Sequence, residues 1–226
     1  MLLLPDGDRA STRRPSPLRA TASVRALGRL LARSGQDDGL VGHVVHYRYR
    51  GWNDGEAHPA QDAAWAADEI VRRYGDVPVC LVGRGMGGRA ALHAAGHPAV
   101  TSAVALAPWL PEDGRAAPPE PVKQLTGRQV LIVQGTSDAH TDPELSFRLA
   151  ERAKKANRGI CRFEVHSDGH GLHHYRSEVH ALAENFVMGV LLGRPFSRPV
   201  VDALAAPPPL GLRMPLAAGF GRTLRK

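Results

Sequence analysis

Two stretches of this sequence, "VPVCLV" at 77–82 and "QVLIVQ" at 129–134, are apolar at nearly every position. A strand with one face in water alternates apolar and polar residues. A strand apolar on both sides must be covered on both sides. Such strands belong to parallel sheets with helices on each face. The rest of the chain supplies the partners. Further β-type runs fall at Leu2–Leu4, Gly42–Tyr47, Ser102–Ala107 and Cys161–His166, beside Val77–Val82 and Gln129–Val133. Helical patterns lie near 19–33, 60–74, 87–96, 143–156 and 174–192. This alternation is the βαβ signature. It predicts an α/β fold with a doubly wound, mostly parallel six-stranded sheet.

The boundaries have local causes. Gly35 and Gly75 fall just past two helical patterns, where helices commonly end on glycine. Asp142-Pro143 reads as an N-cap followed by proline in the first turn. From Arg194 onward the text is rich in Pro, Gly and Ala with one acidic residue. That composition divides the chain into a domain over 1–193 and a basic tail over 194–226, expected to be disordered.

Charge separates the same regions. The formal net charge is +7, yet residues 1–33 and 194–226 each carry +5, which leaves the middle at −3. A nucleic-acid-binding domain carries its basic residues on a structured face, so that class is disfavoured. No apolar run approaches about 18 residues, so no membrane span is expected. "MLLLPDG" lacks the basic start of a secretory signal. Cys80 and Cys161 fall inside separate predicted strands, which suits buried free thiols in a reducing compartment. The location that follows is cytoplasmic.

In a doubly wound sheet, ligands bind where strands end at their carboxyl side. Three strand-end loops stand out. Gly83-Arg84-Gly85-Met86-Gly87 follows the third strand, "QGTSDAHTDP" with Asp138 the fifth, and "HSDGHGLHH" with His170 the sixth. The order is turn, acid, histidine. A catalytic histidine needs a carboxylate to hold its tautomer, and both must reach the turn.

On these loops the chain resembles small, cap-less α/β-hydrolase-fold proteins of the dienelactone-hydrolase-like kind, over about residues 1–192. "LVGRGMGGRAALHAA" resembles the family's nucleophile elbow and the helix after it, with Gly85 where the serine belongs. The resemblance puts the acid on Asp138 and the base on His170. "YRYRGWNDG" resembles the family's turn at Arg50-Gly51, and the Pro5–Asp8 turn stands where the family places part of its oxyanion hole. It implies Gly7, Asp8 and Met86 for that hole. Arg84 is expected as an anion-attracting neighbour, and Trp52 and Trp109 as pocket-lining or packing residues. Two departures stand out. The serine is absent. The family's edge hairpin also has no counterpart, unless the true start lies upstream of Met1.

Other readings of the same residues are weaker. Gly83, Gly85 and Gly88 also satisfy a dinucleotide fingerprint. That fingerprint belongs to the first βα unit and asks for an acidic residue at the end of the next strand. Here two strands precede it, and Glu112 and Asp113 arrive only after Ala107-Pro108 and a proline-broken turn. Thr136, Ser137, Cys80 and Ser102 all lie away from the turn apex, so none replaces the serine. His166, His170, His173 and His174 form no spacing typical of zinc ligands, and no metal or other cofactor is expected.

Glycine tolerates the strained backbone of an elbow but offers no nucleophile. The NDR family, another branch of the fold regarded as non-enzymatic, likewise lacks the serine. The expected function is a catalytically impaired binder of a small molecule, with anionic ligands favoured, or of a partner. The alternative is a hydrolase of ester-like bonds in which His170, held by Asp138, activates water directly.

Overall fold

The computed structural model describes residues 1–111 and 119–221. Its elements run β1 (Leu2–Leu4), α1 (Pro17–Ser34), β2 (His43–Val44), α2 (His58–Tyr74), β3 (Val79–Arg84) and α3 (Met86–Ala94). They continue with β4 (Val100–Leu106), β5 (Gln129–Gly135), α4 (Pro143–Ala156), β6 (Ile160–Val165) and α5 (Arg176–Leu192). α6 (Arg198–Ala205) and β7 (Met214–Pro215) follow. The sheet has the order β2-β1-β3-β4-β5-β6-β7, and every ladder is parallel.

The period-two geometry of a strand sends neighbouring side chains to opposite layers. Leu81, Val130 and Ile132 pack with Ala63, Ala67, Ala90, Ala91, Leu149 and Ala153 from α2, α3 and α4. Cys80, Val82, Leu131 and Val133 pack with Leu27, Leu31, Val179, Leu182 and Phe186 from α1 and α5. The uninterrupted apolar runs are therefore explained: each strand serves two cores. The cysteines are free and buried, and burial pushes the Cys80 thiol up to about 11 and that of Cys161 up to about 12. Asp142 caps α4 as its position suggested, accepting from the Glu144 N–H at 2.9 Å.

The sequence reading needs correction at the C-terminal end. The sheet has seven strands rather than six, and residues 194–221 form an ordered segment. Val200 and Ala203 of α6 are fully buried in the second core. β7 pairs with β6 through Phe163↔Met214 and Glu164↔Pro215. Composition misled because the segment's basic and backbone groups are spent on the fold. The buried Arg162 guanidinium donates to the Leu212 carbonyl at 2.8 Å, and Lys154 Nζ donates to the Ala203 carbonyl at 2.6 Å. Arg213 lies over the Phe147 ring at 3.8 Å and pairs with Glu144 at 2.9 Å. Residues 222–226 lie outside the described residues, as do Glu112, Asp113 and the rest of 112–118 in the connection expected to carry no cap. The described parts of that connection hold only a short turn at Lys123–Leu125. Among the described residues no helix is long and apolar enough to cross a membrane.

Candidate active site

The chain leaves β1 toward β2 on one side and later returns to place β3 on the other. That reversal opens a crevice between the carboxyl ends of β1 and β3. Asp6 and Gly7 follow β1, and Gly85 follows β3.

The turn at Gly85 is tightly held. Its N–H donates to the Leu106 carbonyl at 3.0 Å, and its own carbonyl accepts from Trp109 N–H at 2.9 Å and Arg89 N–H at 3.2 Å. Its backbone sits at φ 54°, ψ −120°, a region that costs an L side chain on the order of 1–3 kcal/mol. Space is short as well. A Cβ placed on Gly85 would lie 2.2 Å from Asp6 Oδ1 and 2.5 Å from Asp6 Cγ. The Asp6 carboxylate thus fills the volume a side chain at 85 would need. Asp6 Oδ1 also accepts both the Met86 N–H and the Gly7 N–H, each at 2.8 Å. These are the two donors that the sequence placed around an oxyanion. They converge as expected, but the oxygen they meet belongs to the protein.

The acid and the histidine come together. His170 Nδ1 lies 2.9 Å from Asp138 Oδ2, which assigns the proton to Nδ1 and leaves Nε2 as the acceptor nitrogen. Asp138 Oδ2 also accepts from Gln134 Nε2 at 2.8 Å, and Oδ1 accepts from the N–H groups of His140 at 2.8 Å and Thr141 at 3.2 Å. Burial raises the Asp138 pKa, but the His170 hydrogen bond and the two backbone donors outweigh it. Its carboxyl therefore titrates below the ordinary range. The His140 ring lies beside that of His170, with centroids 5.1 Å apart.

The remaining predicted residues divide. Arg84 is not aimed at an incoming anion: its guanidinium donates to the Gly171 carbonyl and, at 3.4 Å, to that of His170. It ties the histidine loop to the residue before Gly85. Asp8 pairs with Arg50 at 2.9 Å. Trp109 stands beside the turn through its bond to Gly85. Trp52 is buried, with the Arg89 guanidinium 3.9 Å over its ring and His93 edge-on at 4.9 Å. Arg89 is held by Glu120 at 2.8 and 2.9 Å. Both tryptophans line a cleft of about 490 Å³ together with Arg9, Arg89, His93 and Glu120. Among the described residues no His, Cys, Asp and Glu cluster could hold a metal ion. His173 and His174 precede α5 rather than starting it. The N-terminus of α3, where a dinucleotide would set its pyrophosphate, faces the Asp6 carboxylate instead.

Sequence reasoning missed Asp6. It took Gly7 and Asp8 from the same turn because those positions were sought for N–H donors. The available signal was a complementary pair: a missing side chain at 85 and a surplus carboxylate on the adjacent strand-end loop.

No protein-family model and no curated protein sequence matches the chain. Solved structures do. A protein of unknown function from Agrobacterium tumefaciens, described as an alpha/beta hydrolase, superposes with a TM-score of 0.60 at 19% identity, over 85% of each chain. An esterase from Pyrococcus furiosus gives 0.62 at 13% identity, over 84% of this chain and 82% of its own. A monoacylglycerol lipase from Paleococcus ferrophilus gives 0.57 at 16% identity, over 83% and 93%. Likeness at these identities speaks to architecture, and with the strand order and the assembled acid–histidine pair it gives one conclusion: the chain has the α/β-hydrolase fold.

Proposed function

We propose that this chain is an α/β-hydrolase-fold protein in which serine-type ester cleavage is silenced and the cleft receives a small molecule. The observation that carries this reading is the Asp6 carboxylate, which takes both the side-chain space at Gly85 and the N–H groups of Gly7 and Met86. Removing a serine nucleophile leaves only a residual rate advantage of roughly 10³–10⁴-fold over water. Much of that residue comes from the donors that stabilise the oxyanion, and losing even one costs about 10²–10³-fold. Here the donors already face a negative charge, so the developing oxyanion of an ester would be repelled. The same argument weighs against direct attack of His170-activated water on an ester, since that route also generates an oxyanion. The cleft beside Trp52 and Trp109 offers aromatic surface and the charges of Arg9, Arg89 and Glu120 to a ligand.

The test has two arms. A serine-directed fluorophosphonate should leave the protein unlabelled, and p-nitrophenyl acetate should hydrolyse at the buffer rate with wild type and His170→Ala alike. Labelling at a serine, or ester turnover that His170→Ala abolishes, would overturn the reading. Titration of a small-molecule library against the intrinsic tryptophan fluorescence should find ligands whose signal is lost in Trp109→Phe.

A further inference from the structure

We propose that the loop between β1 and α1 forms a second site, apart from the turn at Gly85, that binds the phosphoryl groups of a small di- or triphosphate. The site goes beyond the function proposed above and does not rest on it. A cavity of about 830 Å³ opens beside this loop, and its walls include Asp8, Ser11, Thr12, Arg13, Arg14 and Arg50. Three guanidinium groups against one carboxylate leave two positive charges uncompensated. Asp8 is engaged by Arg50 at 2.9 Å. Arg13 and Arg14 are exposed, and among the described residues neither side chain has a hydrogen-bond or ion-pair partner.

The chain holds this arrangement in place. Asp8 and Gly51 form a parallel bridge. The Gly51 N–H donates to the Ser11 carbonyl at 3.0 Å, and the Arg50 N–H donates to the Arg13 carbonyl at 2.9 Å. Asn53, at φ 60°, accepts the Ser11 N–H through Oδ1 at 2.8 Å and donates from Nδ2 to the Ser11 carbonyl at 3.2 Å. A free loop would let like-charged side chains spread into water. Here the backbone beneath them is fixed, and all three arginines share one concavity. Concave walls of one sign focus the field and draw in the opposite charge. The chemistry of the ligand follows. A single carboxylate matches only part of the surplus charge. A pyrophosphate group carries more, and its tetrahedral oxygens accept forked pairs of bonds from guanidinium groups. Ser11 and Thr12 add hydroxyl donors to the same walls. A backbone already ordered lowers the cost of closing these contacts. The bounded cavity suits a short phosphate chain rather than a polymer.

Inorganic pyrophosphate is the probe, titrated by calorimetry at low salt. Wild type should bind it. Arg13→Gln with Arg14→Gln should weaken binding at least about tenfold, the factor expected from losing one charge-assisted bond. Arg72→Gln with Arg73→Gln removes the same charge from α2, outside the cavity, and should bind as wild type does. Asp8→Asn removes the one carboxylate and frees Arg50, so it should bind more tightly than wild type. Thermal melts check the folding of each variant, and the gain expected from Asp8→Asn cannot arise from a damaged fold. Absence of binding by wild type, equal weakening in the two double variants, or weaker binding by folded Asp8→Asn overturns the proposal. So does a long single-stranded oligonucleotide that binds more tightly than pyrophosphate. None of these results bears on the fluorophosphonate arm or on the titrations read at Trp109, so the two readings fail separately.

Discussion

The loops after β5 and β6 and the loops after β1 and β3 solve different problems with the same residue type. Asp138 receives four partners from its own neighbourhood and from His170, so its charge is held by groups that exist to hold it. Asp6 is held by two backbone N–H groups at the head of α3 and in the β1 loop, positions suited to a passing anion. One carboxylate is a fixed orienter. The other stands in a receptor. The contrast shows how a strand-end turn that carries no side chain of its own can still hold a negative group, because the N–H groups at a helix N-terminus attract an anion the chain can bring.

The comparison is broken most severely by Gly85→Ser. A side chain there meets both the positive φ and the Asp6 carboxylate at 2.2 Å, so the substitution should cost about 2–4 kcal/mol in urea unfolding. Pairing it with Asp6→Gly should recover the steric share and make the double variant react with the fluorophosphonate. Equal losses in the single and double variants would mean that the two positions do not share one space.

A smaller effect is expected at Asp138→Asn. It leaves the hydrogen bond to His170 weakened and Gln134 facing an amide, for a loss of about 1–3 kcal/mol near neutral pH. The sign with pH is fixed by the direction of the shift. Because the folded pKa lies below the ordinary value, the contribution is present above the ordinary carboxyl range, near ~4, and fades as pH falls through the lower folded value. Wild type and variant should therefore converge in stability in acid. A gap that widens below pH ~4 would contradict the assignment.

The smallest effect belongs to Asp6→Asn. The amide oxygen can still accept from Gly7 and Met86, and what is lost is the interaction of a charge with the head of α3 and with the Arg84 guanidinium. A cost of about 1 kcal/mol or less is expected, shrinking in high salt. A loss as large as that at Asp138 would make Asp6 a structural anchor and erase the contrast between the two carboxylates.

Sequence patterning was most informative where one physical rule dominated. β1 and β5 were found because residues such as Leu3 and Ile132 are buried whichever way they point. The loops bearing Asp138 and His170 stood out because each follows a strand end, and the structure brings the two side chains to 2.9 Å. Asp6 carried no such mark. Its role depends on the reach of one side chain across two loops, which neither periodicity nor spacing encodes. The C-terminal segment was misjudged for a related reason. Val200, Ala203 and Leu212 are ordinary apolar residues in a proline-rich text, and the backbone beside them is docked by Lys154 and by the guanidinium of Arg162, a charged residue hidden inside a strand.

The sheet's outermost strands deserve one more consequence. β2 and β7 are each two residues long, and β7 ends in Pro215. A proline has no N–H to offer a neighbouring chain, and two residues are too few to template a long ladder. Exposed sheet edges are the usual starting points for fibres and for strand exchange between molecules. By tapering at both sides, this sheet leaves little open ladder for such growth to use.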